Sequence, residues 1–345
     1  MTVVRIAADD GVQLAAEVFP NPAARVRLVV SHGNGLAARG YRVFWEPLCR
    51  DHEVVLFDLR GHGLSERGNA EHHTWEQFAR DFDPLASALT QKIGARMTIG
   101  ALHSLSAVAS LLNLHESGPR WDGLVLFDPS LPPPAGHALE PVHRDEMVLL
   151  AERSLRRRLR FDNAAELAAR FARSELFGAW RAPAPLDMAL ATLREDASAG
   201  NWTLACEPQR EASIYATNAG HPVWQVLRTR ACPIHIVAGD PQRPGAEVPC
   251  RASKAAHDDT GVSYESIEGA GHFLQLEQPE RCRDALARFV AALAHKAHPG
   301  DSQGNPSSAQ SPHAGRGRTA GQRCRLPVRA ASVRGRSRAP LPAAA

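Results

Sequence analysis

Up to about residue 130 the apolar positions fall in short, nearly unbroken runs: Val26–Ser31, Glu53–Leu59, Met97–Leu102 and Leu124–Asp128. Such runs, rich in β-branched residues and without polar alternation, suit strands covered on both faces, as in a parallel sheet. Stretches with helical spacing, Thr74–Ile93 and Ser106–Glu116, lie between them and can serve as crossovers. The order predicts an α/β fold with a doubly wound, mostly parallel sheet. At the start, Val3–Ala8 and Gln13–Phe19 flank Asp10-Gly11 and read as an antiparallel hairpin at the sheet edge.

The pattern breaks at Leu131-Pro132-Pro133-Pro134. Prolines lack an N–H and a free φ, so this run leaves the sheet and does not extend it. From there to Val226 the spacing is helical, with no convincing buried strand. Strand character returns at Pro233–Ala238 and Val262–Glu268, and Pro279–Lys296 has the period of a closing helix. The chain thus divides into a first core part (1–130), a helical insertion (131–226), a second core part (227–297) and a tail (298–345). The basic run Arg153–Arg160 reads as the solvated face of an amphipathic helix.

Composition narrows the function classes. Hydrophobic residues make up 44% and charged residues 22%, enough to bury a core. No apolar run is long enough to span a membrane, and the N-terminus has no secretory h-region. Six cysteines with no CxxC spacing argue against a disulfide scaffold or a zinc ribbon and fit a reducing cytoplasm. His72-His73 has no third ligand at usable spacing, so no metal site is expected. The net charge of +3 is uneven, because the tail beyond Pro299 holds eight arginines against one acid, Asp301. The body is therefore mildly acidic and gives no footprint for nucleic acid. The tail is rich in Gly, Pro, Ser and Arg and reads as disordered. The expected partner is a small molecule; no cofactor is implied, and the oligomeric state stays open.

Open α/β sheets place their sites at the carboxyl ends of strands. Four such ends carry polar or glycine-rich turns: Ser31-His32-Gly33-Asn34-Gly35, Asp58-Leu59-Arg60-Gly61-His62-Gly63-Leu64-Ser65, Leu102-His103-Ser104-Leu105-Ser106 and Gly269-Ala270-Gly271-His272-Phe273. In this order and spacing HGNG, DLRGHGLS, HSLS and GAGHFLQLEQPE resemble the α/β-hydrolase fold family, in its serine-nucleophile branch with a helical cap. The resemblance covers roughly residues 1–297, with the insertion at the cap position.

The resemblance implies roles residue by residue. Ser104 matches the nucleophile on a sharp strand-to-helix turn. His272 matches the base that takes its proton and returns it to the leaving group. The backbone N–H groups of Asn34 and Leu105 match the oxyanion hole. His32 and His62 read as supports of their loops. The family's elbow is usually G-x-S-x-G; here the flanks are Leu102 and Ser106, and the bulky Leu102 must find space. The family's acid usually closes a G-x-x-D turn, but Gly239-Asp240-Pro241-Gln242 has Gln242 in that slot and Asp240 two places early. Other branches take the acid from the end of the preceding core strand, here Asp128. Both Asp128 and Asp240 stay open as the acid.

The expected activity is hydrolysis of an ester or related acyl bond of a small, fairly apolar substrate through an acyl-enzyme. Phe177, Trp180 and Trp202 are candidate lining residues from the insertion. Two other readings use the same fold: a cofactor-free perhydrolase, oxygenase or C–C hydrolase, and a non-catalytic small-molecule-binding homologue.

Overall fold

A computed structural model of the protein describes residues 1–198, 200–243 and 247–297; the basic tail expected from residue 298 onward lies outside them. The chain opens with the antiparallel hairpin β1 (Thr2–Ala7) and β2 (Gln13–Phe19). Its turn needs Gly11, whose φ of 85° disfavours any side chain. Next come β3 (Val26–Ser31), α1 (Arg42–Trp45), β4 (Glu53–Asp58), α2 (Trp75–Arg80), α3 (Phe82–Ile93), β5 (Met97–His103), α4 (Leu105–Ser117) and β6 (Gly123–Phe127). The segment that follows holds α5 (Glu140–Leu155), β7 (Arg160–Phe161), α6 (Ala164–Arg173), α7 (Ala184–Thr192), β8 (Leu193–Asp196), β9 (Asn201–Leu204), α8 (Pro208–Ala216) and α9 (Val223–Thr229). Then come β10 (Ile234–Ala238), α10 (Glu247–Thr260), β11 (Ser263–Ser266), α11 (Leu274–Glu277) and α12 (Pro279–Ala297).

Eight strands form one sheet in the order β1-β2-β4-β3-β5-β6-β10-β11. β1 and β2 are antiparallel to their neighbours; from β4 to β11 all pairs are parallel. Every residue of β3, β4 and β6 is buried, as strands with helices on both faces must be. The edge strands β1 and β11 are mostly exposed or half-buried. This is why the central strands read as continuous apolar runs and the edges do not.

Two expectations need correction. The stretch Thr74–Ile93 is two helices, broken at Asp81. Pro84 explains the break: it has no N–H for the carbonyl four residues back, and its ring crowds that carbonyl. The freed turn places buried Asp81 against Arg60, whose Nε and Nη2 reach its carboxylate at 2.7 and 2.6 Å. The 131–226 segment, expected to be helical, also carries a three-stranded sheet in the order β7-β9-β8. Its strands are two to four residues long, too short to leave a period in the sequence. Among the described residues no helix is long and apolar enough to cross a membrane.

Candidate active site

Four strand ends meet at one edge of the sheet. β5 runs into α4 through Ser104, whose φ of 50° lies in the left-handed region that disfavours a side chain. The strained turn is held on all sides. Ser104 N–H donates to Phe127 O (3.1 Å) and Ser106 N–H to His32 O (3.3 Å). Ser106 Oγ accepts from His103 N–H (3.1 Å) and donates to His103 O (3.0 Å). Leu102, the residue the usual elbow lacks, is fully buried, and its side chain lies over Gly100 on the same strand face. A Cβ on Gly100 would come within 3.2 Å of Leu102 Cδ1, so Gly100 leaves room for the Leu102 side chain.

Ser104 Oγ lies 3.1 Å from His272 Nε2, and His272 Nδ1 lies 2.6 Å from Asp128 Oδ2. Asp128 follows β6 directly, with no exposure and a φ of 39°. Its N–H donates to Val237 O (2.8 Å), and its Oδ1 accepts from Gly239 N–H (3.2 Å) and Cys250 Sγ–H (3.4 Å). Both carboxylate oxygens are thereby aimed, one toward the protein frame and one toward the imidazole. Asp240 does not touch His272. Its Oδ1 accepts from Gln242 N–H (2.8 Å) and its Oδ2 from Gly269 N–H (2.9 Å), and these amides hold its carboxyl below the usual range. Asp240 therefore ties down the loop that carries His272. Glu277 ties down the other side, accepting from Gly271 N–H at 2.7 Å and from Arg243 at 2.8 Å.

The His32–Gly35 loop packs straight onto the elbow. A Cβ on Gly33 would lie 2.9 Å from His103 Nδ1 and 3.3 Å from Ser104 Cβ, so only glycine allows this approach. Leu105 is the first residue of α4, where a backbone N–H has no partner within the helix. Neither the Asn34 nor the Leu105 N–H donates to another group among the described residues. The Asn34 side chain donates to Glu211 O (2.8 Å). Beside Ser104 opens a cavity of about 470 Å³, lined among others by Asn34, Leu150, Phe177, His272 and Phe273. Of the aromatic candidates only Phe177 lines it. Trp180 packs behind, 4.9 Å from Phe177 and 5.4 Å from Phe273 between ring centroids, and Trp202 pairs with Phe161 in the small sheet. The basic run is not simply solvated: Arg157 turns inward to an ion pair with buried Glu211, and both line the cavity. Helical spacing alone does not reveal this, because the countercharge comes from α8, over fifty residues away.

His32 and His62 act as staples. His32 Nε2 accepts from Leu59 N–H (3.1 Å) while Nδ1–H donates to Gly33 O (2.9 Å). His62 Nε2 accepts from Gly35 N–H (3.1 Å) and Nδ1–H donates to Arg60 O (2.9 Å). Each therefore ties the β3 loop to the β4 loop. His73 stacks on His62 at 5.9 Å. Burial pushes the pKa of all three down, that of His73 to about 3. The unfolded chain protonates these histidines near 6.5 while the folded one keeps them neutral, so stability present above that pH is lost as pH falls. Each contributes a slope of about 1.4 kcal/mol per pH unit below about 6.5. Thermal unfolding should show a steady Tm from pH 8 to 7 and a steep fall from 6.5 to 5. A flat Tm across that window would contradict neutral burial.

The Alpha/beta hydrolase family model matches residues 28–285. No curated protein sequence matches the chain. Among solved structures, E-2-(acetamidomethylene)succinate hydrolase superposes with a TM-score of 0.65 at 18% identity, covering 84% of this chain and all of that one. A thermophilic esterase from Thermogutta terrifontis gives 0.56 at 21%, covering 85% and 99%. The thioesterase domain of the curacin biosynthetic pathway gives 0.61 at 17%, covering 84% and 100%. At these identities the likeness speaks for the fold. The parallel sheet with its hairpin edge, the strained turn into α4 and the family match over most of the chain make one case: this protein belongs to the alpha/beta hydrolase family.

Proposed function

We propose that the protein is a serine hydrolase that cleaves an ester or related acyl bond of a small, fairly apolar substrate through an acyl-enzyme. One observation carries this reading: the unbroken row Ser104 Oγ, His272, Asp128, with spacings of 3.1 and 2.6 Å, at the floor of a cavity. Ser104 Oγ attacks the acyl carbon while its proton passes to His272 Nε2. The carbonyl π pair moves onto oxygen, and the N–H groups of Asn34 and Leu105 receive that oxyanion. Leu105 adds the positive end of the α4 dipole. The intermediate collapses, and the leaving alkoxide takes the proton from His272. A water then gives its proton to His272 and attacks the acyl carbon. When this second intermediate breaks, Ser104 recovers the proton and the free acid departs. Asp128 holds the Nδ1–H tautomer and stabilises the imidazolium throughout.

In this reading residues 131–226 act as a cap, with Leu150, Phe171 and Phe177 giving the substrate side its apolar surface. Among the described residues Cys206, Cys232, Cys250 and Cys282 are free thiols, which supports a reducing, cytoplasmic setting. Rapid quenching with p-nitrophenyl acetate is expected to show a burst of nitrophenol, with the acetyl mass on the peptide containing Ser104. A linear time course with no acylated peptide would contradict the acyl-enzyme.

A further inference from the structure

Behind the elbow lies a polar pair that the steps above do not use. Tyr41 and His103 are both fully buried, with ring centroids 5.6 Å apart. His103 immediately precedes Ser104, and its own backbone N–H and carbonyl are both bound by Ser106 Oγ. Its ring reaches in the other direction: Nε2 lies 2.9 Å from the main-chain oxygen of His272, and Nδ1 lies 2.7 Å from Tyr41 Oη. Tyr41 Oη in turn lies 3.3 Å from Gly33 N.

We propose that His103 is a positioning residue: with Tyr41 it forms a brace that holds the His272 main chain, and hence its ring, at the reach Ser104 requires, and ties that ring to the Gly33–Asn34 loop. The inference rests on the reading of Ser104 and His272 as nucleophile and base.

The direction of every hydrogen bond follows from the chemistry of the groups. A carbonyl oxygen only accepts, so His103 carries its proton on Nε2 and donates to His272 O. A neutral imidazole then has an acceptor at Nδ1, and Tyr41 O–H donates to it. Tyr41 Oη is left to accept from Gly33 N–H. The chain runs one way, from the amide beside Asn34 to the carbonyl of His272, and no polar atom in it lacks a partner. Burial and the neighbouring His272 both push the pKa of His103 well below the ordinary value, so this neutral tautomer persists over the working pH range. The brace joins residues 169 positions apart in the chain. Without it the His272 loop keeps Asp240 and Glu277 at its outer side and the ring keeps its bonds to Asp128 and Ser104, but the His272 main-chain oxygen loses its tie to the residue that carries the elbow. An error of about 1 Å in such a reach is worth about a hundredfold in rate.

Three variants separate positioning from packing. His103→Leu keeps an apolar side chain of similar bulk and removes both ring bonds. Tyr41→Phe removes one hydroxyl. His103→Gln keeps a donor and an acceptor. With p-nitrophenyl acetate, His103→Leu should lower kcat by about 10- to 100-fold with KM within about threefold. Tyr41→Phe should lower kcat less, and His103→Gln should recover most of the loss. Proton NMR gives a readout that does not depend on turnover: the proton between His272 Nδ1 and Asp128 should be a sharp downfield signal in the wild type, and should broaden or shift in His103→Leu and Tyr41→Phe. Unchanged kcat and an unchanged signal in both variants would overturn the brace. Equal loss in His103→Leu and His103→Gln would also overturn it, in favour of packing alone. Should His103→Leu fail to fold, Tyr41→Phe carries the test by itself. If the wild type is never acylated at Ser104, the catalytic reading fails, while the NMR signal still decides whether His103 and Tyr41 hold the His272 ring.

Discussion

Replacing Ser104 by alanine should abolish both turnover and labelling by a fluorophosphonate probe while leaving the fold intact. The probe reacts only with an activated hydroxyl, and in the wild type the adduct is expected on Ser104 alone. The size of the effect follows from the mechanism: without Oγ there is no acyl-enzyme, and what remains is binding and the oxyanion donors. Losses of about 10⁶ in kcat accompany removal of the serine where such a row operates. Stability should change little. Among the described residues Ser104 Oγ makes one hydrogen bond, to His272 Nε2, and the strained φ of 50° is shared by any residue with a side chain placed there. The turn is held by backbone bonds and by Ser106, all of which Ser104→Ala keeps. A Tm within a few degrees of wild type, together with lost labelling, is the expected pair of results. Full esterase activity in Ser104→Ala would remove Ser104 from the mechanism.

The second large effect separates the two carboxylates. Asp128→Asn should lower kcat by up to about 10⁴, the loss expected when an orienting carboxylate becomes an amide. An amide is neutral and cannot stabilise the imidazolium; its NH₂ can also face Nδ1 and favour the wrong tautomer. Asp128 is buried and 2.6 Å from Nδ1, so no water can take over its charge. Asp240→Asn should cost less than about tenfold, because Asp240 acts on the Gly269 and Gln242 amides and not on the ring. An asparagine there keeps one oxygen for one of those two amides. Steady-state kinetics of the two variants on one ester substrate checks the order. A larger loss from Asp240→Asn would mean that the His272 loop rearranges to reach it.

Much of this was legible in the chain. Strands β3, β4, β5 and β6 stand where the apolar runs lie, because a strand covered on both faces is apolar at most positions, and the buried charges Arg27 and Glu53 pair with each other. The hairpin follows from the two runs on either side of Asp10-Gly11, turn chemistry that falls in the loop between β1 and β2 with Gly11 at a φ of 85°. Ser104, His272, Asn34 and Leu105 were legible as candidates for a different reason: each sits in a turn just past a strand end, and the order of those turns resembles the family's. Trp202, by contrast, could not be assigned from the chain. Whether an aromatic side chain lines a cavity or backs another ring depends on partners from other segments.

From the sequence come the buried strands, the order of the turns at their ends and, through the family resemblance, the candidates in those turns. Local physics is enough for the strands, because burial dictates apolarity. Which carboxylate meets His272 follows from the folded arrangement and not from the chain. Asp128 and Asp240 both end strands on the same edge, and their distances to a ring contributed by a third loop depend on how β6, β10 and β11 lie side by side. The folded arrangement alone showed that Gly100 leaves room for Leu102, since the space depends on where the Leu102 side chain and Leu124 of the neighbouring strand lie. The brace from Gly33 through Tyr41 and His103 to His272 is of the same kind. Its members are scattered from residue 33 to residue 272, no period or motif links them, and a hydrogen-bonded chain exists only once the folded backbone has brought its donors and acceptors within about 3 Å of one another.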